Sequence, residues 1–471
     1  MRTSFYIGVT VAAAMLAGCT VGPNYKRPQI AVPESFRAPE PLPESQGASL
    51  ADLKWFEVFH DPQLDGLIKV ALAQNYDLRD AIARVDQARA NLGITRSNQY
   101  PQVSASGDLQ ITRLSRDRQF PLPASFVSSQ NRNWGEASLN LLSFQVDLWG
   151  QLRRATEAAR ANLLNADWNR KTVISTVVSQ VAADYFQLLE LDSELRISQN
   201  TLATRQESLK LTADREAHGI ATDLDVRQAE QLVESAAESI PQLKQQSEQT
   251  ENQISLLLGK NPQSIRREGR FNEEYLVPEV PAGLPSALLE RRPDIRAAEQ
   301  ALISANANIG VAKAAYFPQI SLTGSIGGQS SSLAKLFSGP AAAWSFVPQL
   351  TQPIFTAGRL KNTVRLAEAQ RQDAQIAYEK SISTGFKEVS DALIAHQRTR
   401  ESRVEQQKLV IALADRKRLA YRRYEGGVDT QLNALDADRD LLTAELTLEQ
   451  IRYAEVVSTV QLYNALGGGW Q

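Results

Sequence analysis

Cys19 is the sole thiol of the chain and closes the run Leu16-Ala17-Gly18-Cys19, where small residues follow an apolar stretch. A lone cysteine forms no disulfide within one chain. The three histidines, His60, His218 and His396, are too scattered in sequence to suggest a metal shared with it. What remains is carboxylate chemistry near turns. Asp225 ends the stretch His218–Asp225, which contains Gly219, and Asp436 follows Glu425–Asn433, which contains Gly426 and Gly427. Arg439 lies one helical turn beyond Asp436 and can pair with it at i,i+3. Elsewhere acids alternate with Lys and Arg, as solvated helix faces do. No phosphate loop, nucleophile constellation or metal cluster emerges, so an enzyme has no sequence support.

Cys19 is preceded by Arg2 and the apolar run Phe5–Leu16, the plan of a secretory signal over 1–18. That run has twelve residues, too few to span a bilayer. Leu-Ala-Gly-Cys resembles a bacterial lipobox, in which the cysteine becomes the acylated first mature residue. The resemblance implies diacylglycerol and N-acyl groups on Cys19. Thr20 follows instead of aspartate, which implies sorting to the outer membrane, and several acyl chains tether more firmly than one. The alternative is an ordinary cleaved signal with an incidental cysteine. Residues 19–64 continue as a tether: Gly22–Gly47 holds six prolines, and Asp52–Asp65, with Trp55, Phe56 and Phe59, is expected to dock as a short helix.

The elements that must position the turns come from an internal duplication. Asp77–Gly107 aligned without a gap to Asp294–Gly324 gives eleven identities in thirty-one positions, among them Pro101-Gln102 with Pro318-Gln319. Unrelated segments share roughly two, so the chain is built from two copies of one unit. The alignment resumes with the offset reduced from 217 to 208, pairing Gly150 with Gly358, Gly219 with Gly427 and Leu224 with Leu432. A longer loop in the first copy accounts for the change. The copies are 65–258 and 285–466, separated by the proline-bearing linker 259–284 and followed by a tail, 467–471. Net charge is −2 with a pI near 6.1 and no basic block, so no nucleic-acid partner is indicated.

Within each copy the hydrophobic period changes from helical to two at the proline. Val103, Ala105, Gly107, Leu109 and Ile111 alternate with Gln102, Ser104, Ser106, Asp108 and Gln110. Strands are expected at about 102–114 and 134–149, then 319–328 and 342–355, with a bulge where the phase slips at Leu141-Leu142. The loops Arg113–Asn133 and Gln329–Ala341 read as polar or small. Each strand alone also suits a half-exposed soluble sheet. Paired hairpins behind a lipoprotein-like signal favour a membrane barrel, and four strands cannot close one in lipid. Sister chains must then supply the rest.

Long helices follow at 151–217 and 359–424, with shorter ones at 224–258 and 431–465. The first has no proline or glycine and the second only Gly385. Each spans about 100 Å at 1.5 Å per residue. Tyr378, Ile382, Phe386, Val389 and Leu393 form a coiled-coil seam beside alanine stripes. Periodicity alone also allows a soluble coiled-coil rod; helices that enter barrel strands favour a ring around a water-filled bore.

With these parts in view, the chain resembles the outer-membrane factor family of TolC-like channels, in particular its OprM/NodT-type lipoprotein branch. The specific pieces are CTVGPNYKRP at Cys19–Pro28, Phe317–Gln319, and RYEGGVDTQLNALDADRDLL at Arg423–Leu442. The resemblance implies a mainly α fold with membrane β. A homotrimer would form one twelve-stranded β-barrel, four strands per protomer, continued by a long periplasmic α-helical barrel. It implies outer-membrane lipid around the barrel, a periplasmic adaptor (membrane fusion) protein and a proton-driven inner-membrane pump of the RND type. No catalysis is implied, and no cofactor beyond the lipid on Cys19. The turns bearing Gly219, Gly426 and Gly427 would meet the adaptor at a periplasmic mouth. The resemblance assigns the gating tyrosine to Tyr424, its carboxylate partner to Asp225 and the constriction aspartate to Asp436. A second aspartate of some members is Asn433 here, which weakens cation affinity. Without a gate, Asp436 and Arg439 are a solvated pair worth a few tenths of a kcal/mol. Two other functions fit less well: the exit channel of a type I protein-secretion system, and a structural coiled-coil envelope lipoprotein without a pore.

Overall fold

The change of period at Pro101 and Pro318 becomes a passage from helix to strand in a computed structural model of the chain. The structure describes residues 20–38, 49–59, 61–113, 131–267, 275 and 285–470. The signal segment with Cys19, part of the proline-rich tether, most of the first hairpin loop and much of the linker lie outside them. The elements in order are α1 (Trp55–Phe59), α2 (Pro62–Gln74), α3 (Tyr76–Ser97), β1 (Val103–Arg113), β2 (Asn131–Val146), α4 (Gln151–Ala217) and α5 (Asp223–Leu257). The second half adds α6 (Pro285–Arg291), α7 (Pro293–Ala314), β3 (Gln319–Ser330), β4 (Ala342–Thr351), α8 (Arg359–Glu425) and α9 (Gln431–Ala465).

The duplication is visible in the elements themselves. α4 and α8 have 67 residues each, α5 and α9 have 35, and α3 and α7 have 22. Three glycine pairs, Gly150/Gly358, Gly219/Gly427 and Gly259/Gly467, have positive φ at matching places just outside the helix ends. α5 runs through Pro241, forgoing one backbone hydrogen bond.

Contacts divide the chain into two units. One holds the sheet with adjoining helix ends, Val85–Asn165 and Ala298–Ala377, together with the segment up to Pro28. Its sheet is antiparallel throughout in the order β1-β2-β3-β4. Register places Ala105, Leu139, Ile326 and Trp344 in one row on the apolar face. On the opposite face Ser106 meets Ser138 at 3.2 Å, Ser325 meets Ser345 at 2.8 Å, and Gln329 donates to Glu136 at 3.0 Å. Between Leu141↔Gly324 and Phe144↔Leu322, β2 has one more residue than β3, a bulge where the phase slips.

β2 ends at Val146, three residues short of the expected Trp149, because tertiary bonds claim its last turn. The Trp149 carbonyl accepts from Val21 at 3.0 Å and its indole donates to the Pro318 carbonyl at 2.8 Å. Asp147 meanwhile caps α4, accepting from the amides of Leu152 and Arg153. β4 ends at Thr351 before Pro353, which cannot donate to a ladder. The β3–β4 loop is not uniformly polar or small. It contains two 3-10 turns, buries Leu336, and sets Leu333 against Gly135.

In the same unit Val21–Arg27 forms a strap. Asn24 accepts from Arg154 at 2.7 Å, Asn306 donates to the Pro23 carbonyl at 2.9 Å, and Arg27 grips Glu299 at 2.6 and 2.8 Å. Gly22, at φ +102°, permits this approach; a Cβ there would stand 2.5 Å from the Cα of Gly310.

The other unit comprises Gln29–Arg84, Ala166–Ala297 and Tyr378–Gln471. Its core joins Tyr185, Phe186 and Leu189 of α4 to Leu64 and Ile68 of α2, Ile254 of α5, Val389 of α8 and Val456 of α9. α1 docks as a short helix, burying Trp55, Val58 and Phe59. At the centre Asp61 caps α2 through the amides of Gln63 and Leu64 and accepts from the hydroxyls of Tyr185 (2.9 Å) and Tyr275 (2.6 Å). Among the described residues, no helix is long and apolar enough to cross a membrane.

Candidate gate at the helix turns

The α4–α5 and α8–α9 turns are built alike. Gly219 (φ 72°) and Gly427 (φ 70°) take the left-handed conformation that ends a helix, where any other residue pays in backbone strain. The amide after each closes the turn, Ile220 onto the Arg215 carbonyl at 2.8 Å and Val428 onto the Arg423 carbonyl at 3.0 Å. Gly426 sits inside the second turn, where a Cβ would come within 3.3 Å of the Arg422 carbonyl.

The two following helices start differently. α5 has a capping box: Asp225 accepts from the Thr222 amide at 2.8 Å and its hydroxyl at 2.7 Å, and Thr222 accepts from the Asp225 amide. Thr430 at the start of α9 has no side-chain cap. Asp429, just before it, accepts instead from the Thr430 amide (2.8 Å) and from the side chains of Asn433 (2.7 Å) and Arg423 (2.9 Å). The Arg423 guanidinium, then the Asn433 amide, pull the Asp429 carboxyl down to about 2.

The expected gate residues are placed as follows. The Tyr424 ring lies under the Arg215 guanidinium at 4.8 Å. Asp225 is engaged by Thr222, and among the described residues no hydrogen bond joins it to Tyr424 within the protomer. Asn433 turns to Asp429. Asp436 pairs with Arg439 at 3.2 Å on an exposed face, and Arg439 also reaches Asp440, which Arg416 holds at 2.6 Å. Cys19 lies outside the described residues; Thr20, the next residue, packs on Gly150.

Sequence inspection missed a buried cluster beside these groups. Asp438 is 1 % exposed, accepts from Arg205 of α4 at 2.7 Å and forms an ion pair with Lys417 of α8 at 2.5 Å. Arg205 also donates to the Leu232 carbonyl of α5 at 2.9 Å. The available signal was position: Asp438 falls on the stripe of Ala434, Leu435 and Leu441, all buried.

Other carboxylates are buried along α4. Burial, opposed by a bond from Gln180, pushes Asp184 up to about 6. Burial, then the adjacent Glu194, pushes Glu190 up to about 8. Glu194 accepts from Gln450 of α9 at 2.9 Å, while Glu449 pairs with Arg452 at 2.7 Å. Among the described residues, no group of histidine, cysteine and acidic side chains is arranged to hold a metal.

A family profile described as outer membrane efflux protein matches residues 67–260 and 284–468, one match in each copy of the duplication. The chain is 37% identical over 471 residues to TtgC, a probable efflux pump outer membrane protein of Pseudomonas putida, covering 99% of this chain and 96% of that one. It is 35% identical over 459 residues to the cation efflux system protein CusC of Escherichia coli, covering 98% and 97%. The open-state MtrE outer membrane channel of Neisseria gonorrhoeae superposes with a TM-score of 0.83 at 32% identity, covering 96% and 99%. The duplicated helix–hairpin–helix unit, the two-faced sheet and these likenesses agree: the chain belongs to the outer membrane efflux protein family.

Proposed function

We propose that three copies of this chain assemble into one passive exit duct of a tripartite efflux system. The carrying observation is the four-stranded sheet, apolar on one face and polar on the other, with β1 and β4 at open edges. Open edges in lipid leave backbone groups unpaired at several kcal/mol each, so sister sheets are needed to close a barrel. Three sheets give twelve strands, and α4, α5, α8 and α9 of each protomer continue them as a helical tunnel whose polar faces line the bore. Lipid on Cys19 anchors each protomer in the outer membrane.

The duct performs no chemistry. Solutes are loaded by an RND-type pump through a periplasmic adaptor that seats on the turns of Gly219 and Gly426-Gly427, and selection among solutes lies in the pump. The turns close the mouth, with Asp436 of three protomers facing one another and Tyr424 meeting Asp225 of a neighbour. The full-length protein in planar bilayers tests this. Stable conductance with heat-modifiable trimers on gels is expected, and Tyr424→Phe with Asp225→Ala raises that conductance. A monomer soluble without detergent refutes the assembly, and unchanged conductance in the double variant removes those two residues from the gate.

A further inference from the structure

Asp436 and Asp438 stand two positions apart on α9, about 200° around a helix. Their surroundings are opposite. Asp436 is paired on an exposed face, whereas Asp438 is enclosed by Arg205 and Lys417. Arg205 begins a polar face of α4 that continues at Ser208 and Thr212. Arg205 bonds Asp438, Ser208 bonds the Tyr421 hydroxyl, and Thr212 accepts from Gln431 at 2.9 Å. These three rungs tie α4 to α8 and α9, and the Arg205 bond to Leu232 adds α5.

A seam of apolar side chains tolerates sliding by small repacking steps. A buried carboxylate held by two cations does not, because any slip strands charge away from both water and partner. Buried ion pairs add little net stability over apolar residues of the same volume, and their best-attested use is to fix register. We infer that Asp438 is a positioning residue for the gate: it registers α9 against α4, α5 and α8 and so fixes where Asp436 stands. This rests on the gate proposed above. Opening the mouth moves α9 past α4, and the Asp438 rung is then the one that must be broken.

The test uses full-length trimers in planar bilayers, with heat-modifiable migration to check assembly. Asp438→Asn removes the carboxylate that Arg205 and Lys417 share, leaving Glu445 as the acid facing Lys417, and is expected to raise the open fraction roughly tenfold. Asp438→Glu restores the charge and gives a smaller rise. Asp436→Ala, run alongside, reports on the gate through block by multivalent cations. Wild-type conductance in an assembled Asp438→Asn trimer, with block altered in Asp436→Ala, overturns the positioning role and leaves the gate standing. Unaltered block in Asp436→Ala places the constriction ring elsewhere and overturns the placing of Asp436 on which the positioning role rests. Should Asp438→Asn fail to assemble, Lys417→Met, which retains the Arg205 pair, takes its place: a raised open fraction supports the role and an unchanged one overturns it.

Discussion

Replacing Glu190 by glutamine is expected to remove a loss of stability that the native protein suffers as pH rises from about 4.5 through about 8. The side chain is buried on α4 beside Glu194, with Glu449 facing it from α9, Arg452 bound to Glu449, and Tyr453 nearby. Its carboxyl rises from 4.5 to about 8, so the folded state holds a proton that the unfolded chain releases. Where the folded state binds more protons, stability falls as pH rises. The contribution is therefore fully present below the unfolded value of 4.5 and disappears as pH climbs through about 8. A shift of that size borne by one isolated group equals about 5 kcal/mol at 1.36 kcal/mol per unit. The carboxyl is hydrogen-bonded to its neighbour and some hydration persists, which brings the expected effect to about 2 kcal/mol. Trimer melting followed by circular dichroism between pH 5 and 9 should show the native midpoint falling by roughly 2 °C. Glu190→Gln should flatten that slope and melt above the native protein at pH 9. An equal slope in both proteins refutes the assignment of the proton to this cluster.

Asp61→Ala removes a helix cap and strands two tyrosine hydroxyls, an expected loss of about 3 kcal/mol; Asp61→Asn keeps the cap and should cost about 1 kcal/mol. Denaturant unfolding compares the two, and equal losses would show that the cap is not what Asn preserves. Asp436→Ala should abolish block of bilayer conductance by multivalent cations, since three crowded carboxylates attract them; persistent block places the binding ring elsewhere. Cys19→Ser should end incorporation of labelled fatty acid in cells, and continued labelling would move the lipid to another residue.

The architecture was legible where the rules are local. α4 could be read because nothing in Gln151–Ala217 breaks a helix, and the turns because Gly219 and Gly427 interrupt otherwise uniform helical patterns. The bulge in β2 was legible as a slipped alternation. Contacts made across long sequence distances were not. Trp149 continues an apolar alternation, yet leaves the strand because Val21 and Pro318 claim it. Asp225 in Thr222-Asp223-Leu224-Asp225 carries the spacing of a capping box, a local role that the family resemblance overshadowed. Asp438 looked like its neighbours Asp436 and Asp440, and only the packing of three other helices gives it a different environment. Tyr424 likewise owes its Arg215 neighbour to a helix more than two hundred positions earlier.

The strap of Val21–Arg27 imposes an order on biogenesis. Its partners Glu299 and Asn306 lie 272 and 283 positions downstream of the groups they bond. A ribosome has long since made the strap before it makes its seat. The sheet-bearing unit thus cannot complete its closure during synthesis of the first copy, and maturation must wait for the second. Chains truncated between the copies should leave the strap accessible to proteases, a defect that quality control in the envelope would meet as an unclosed end.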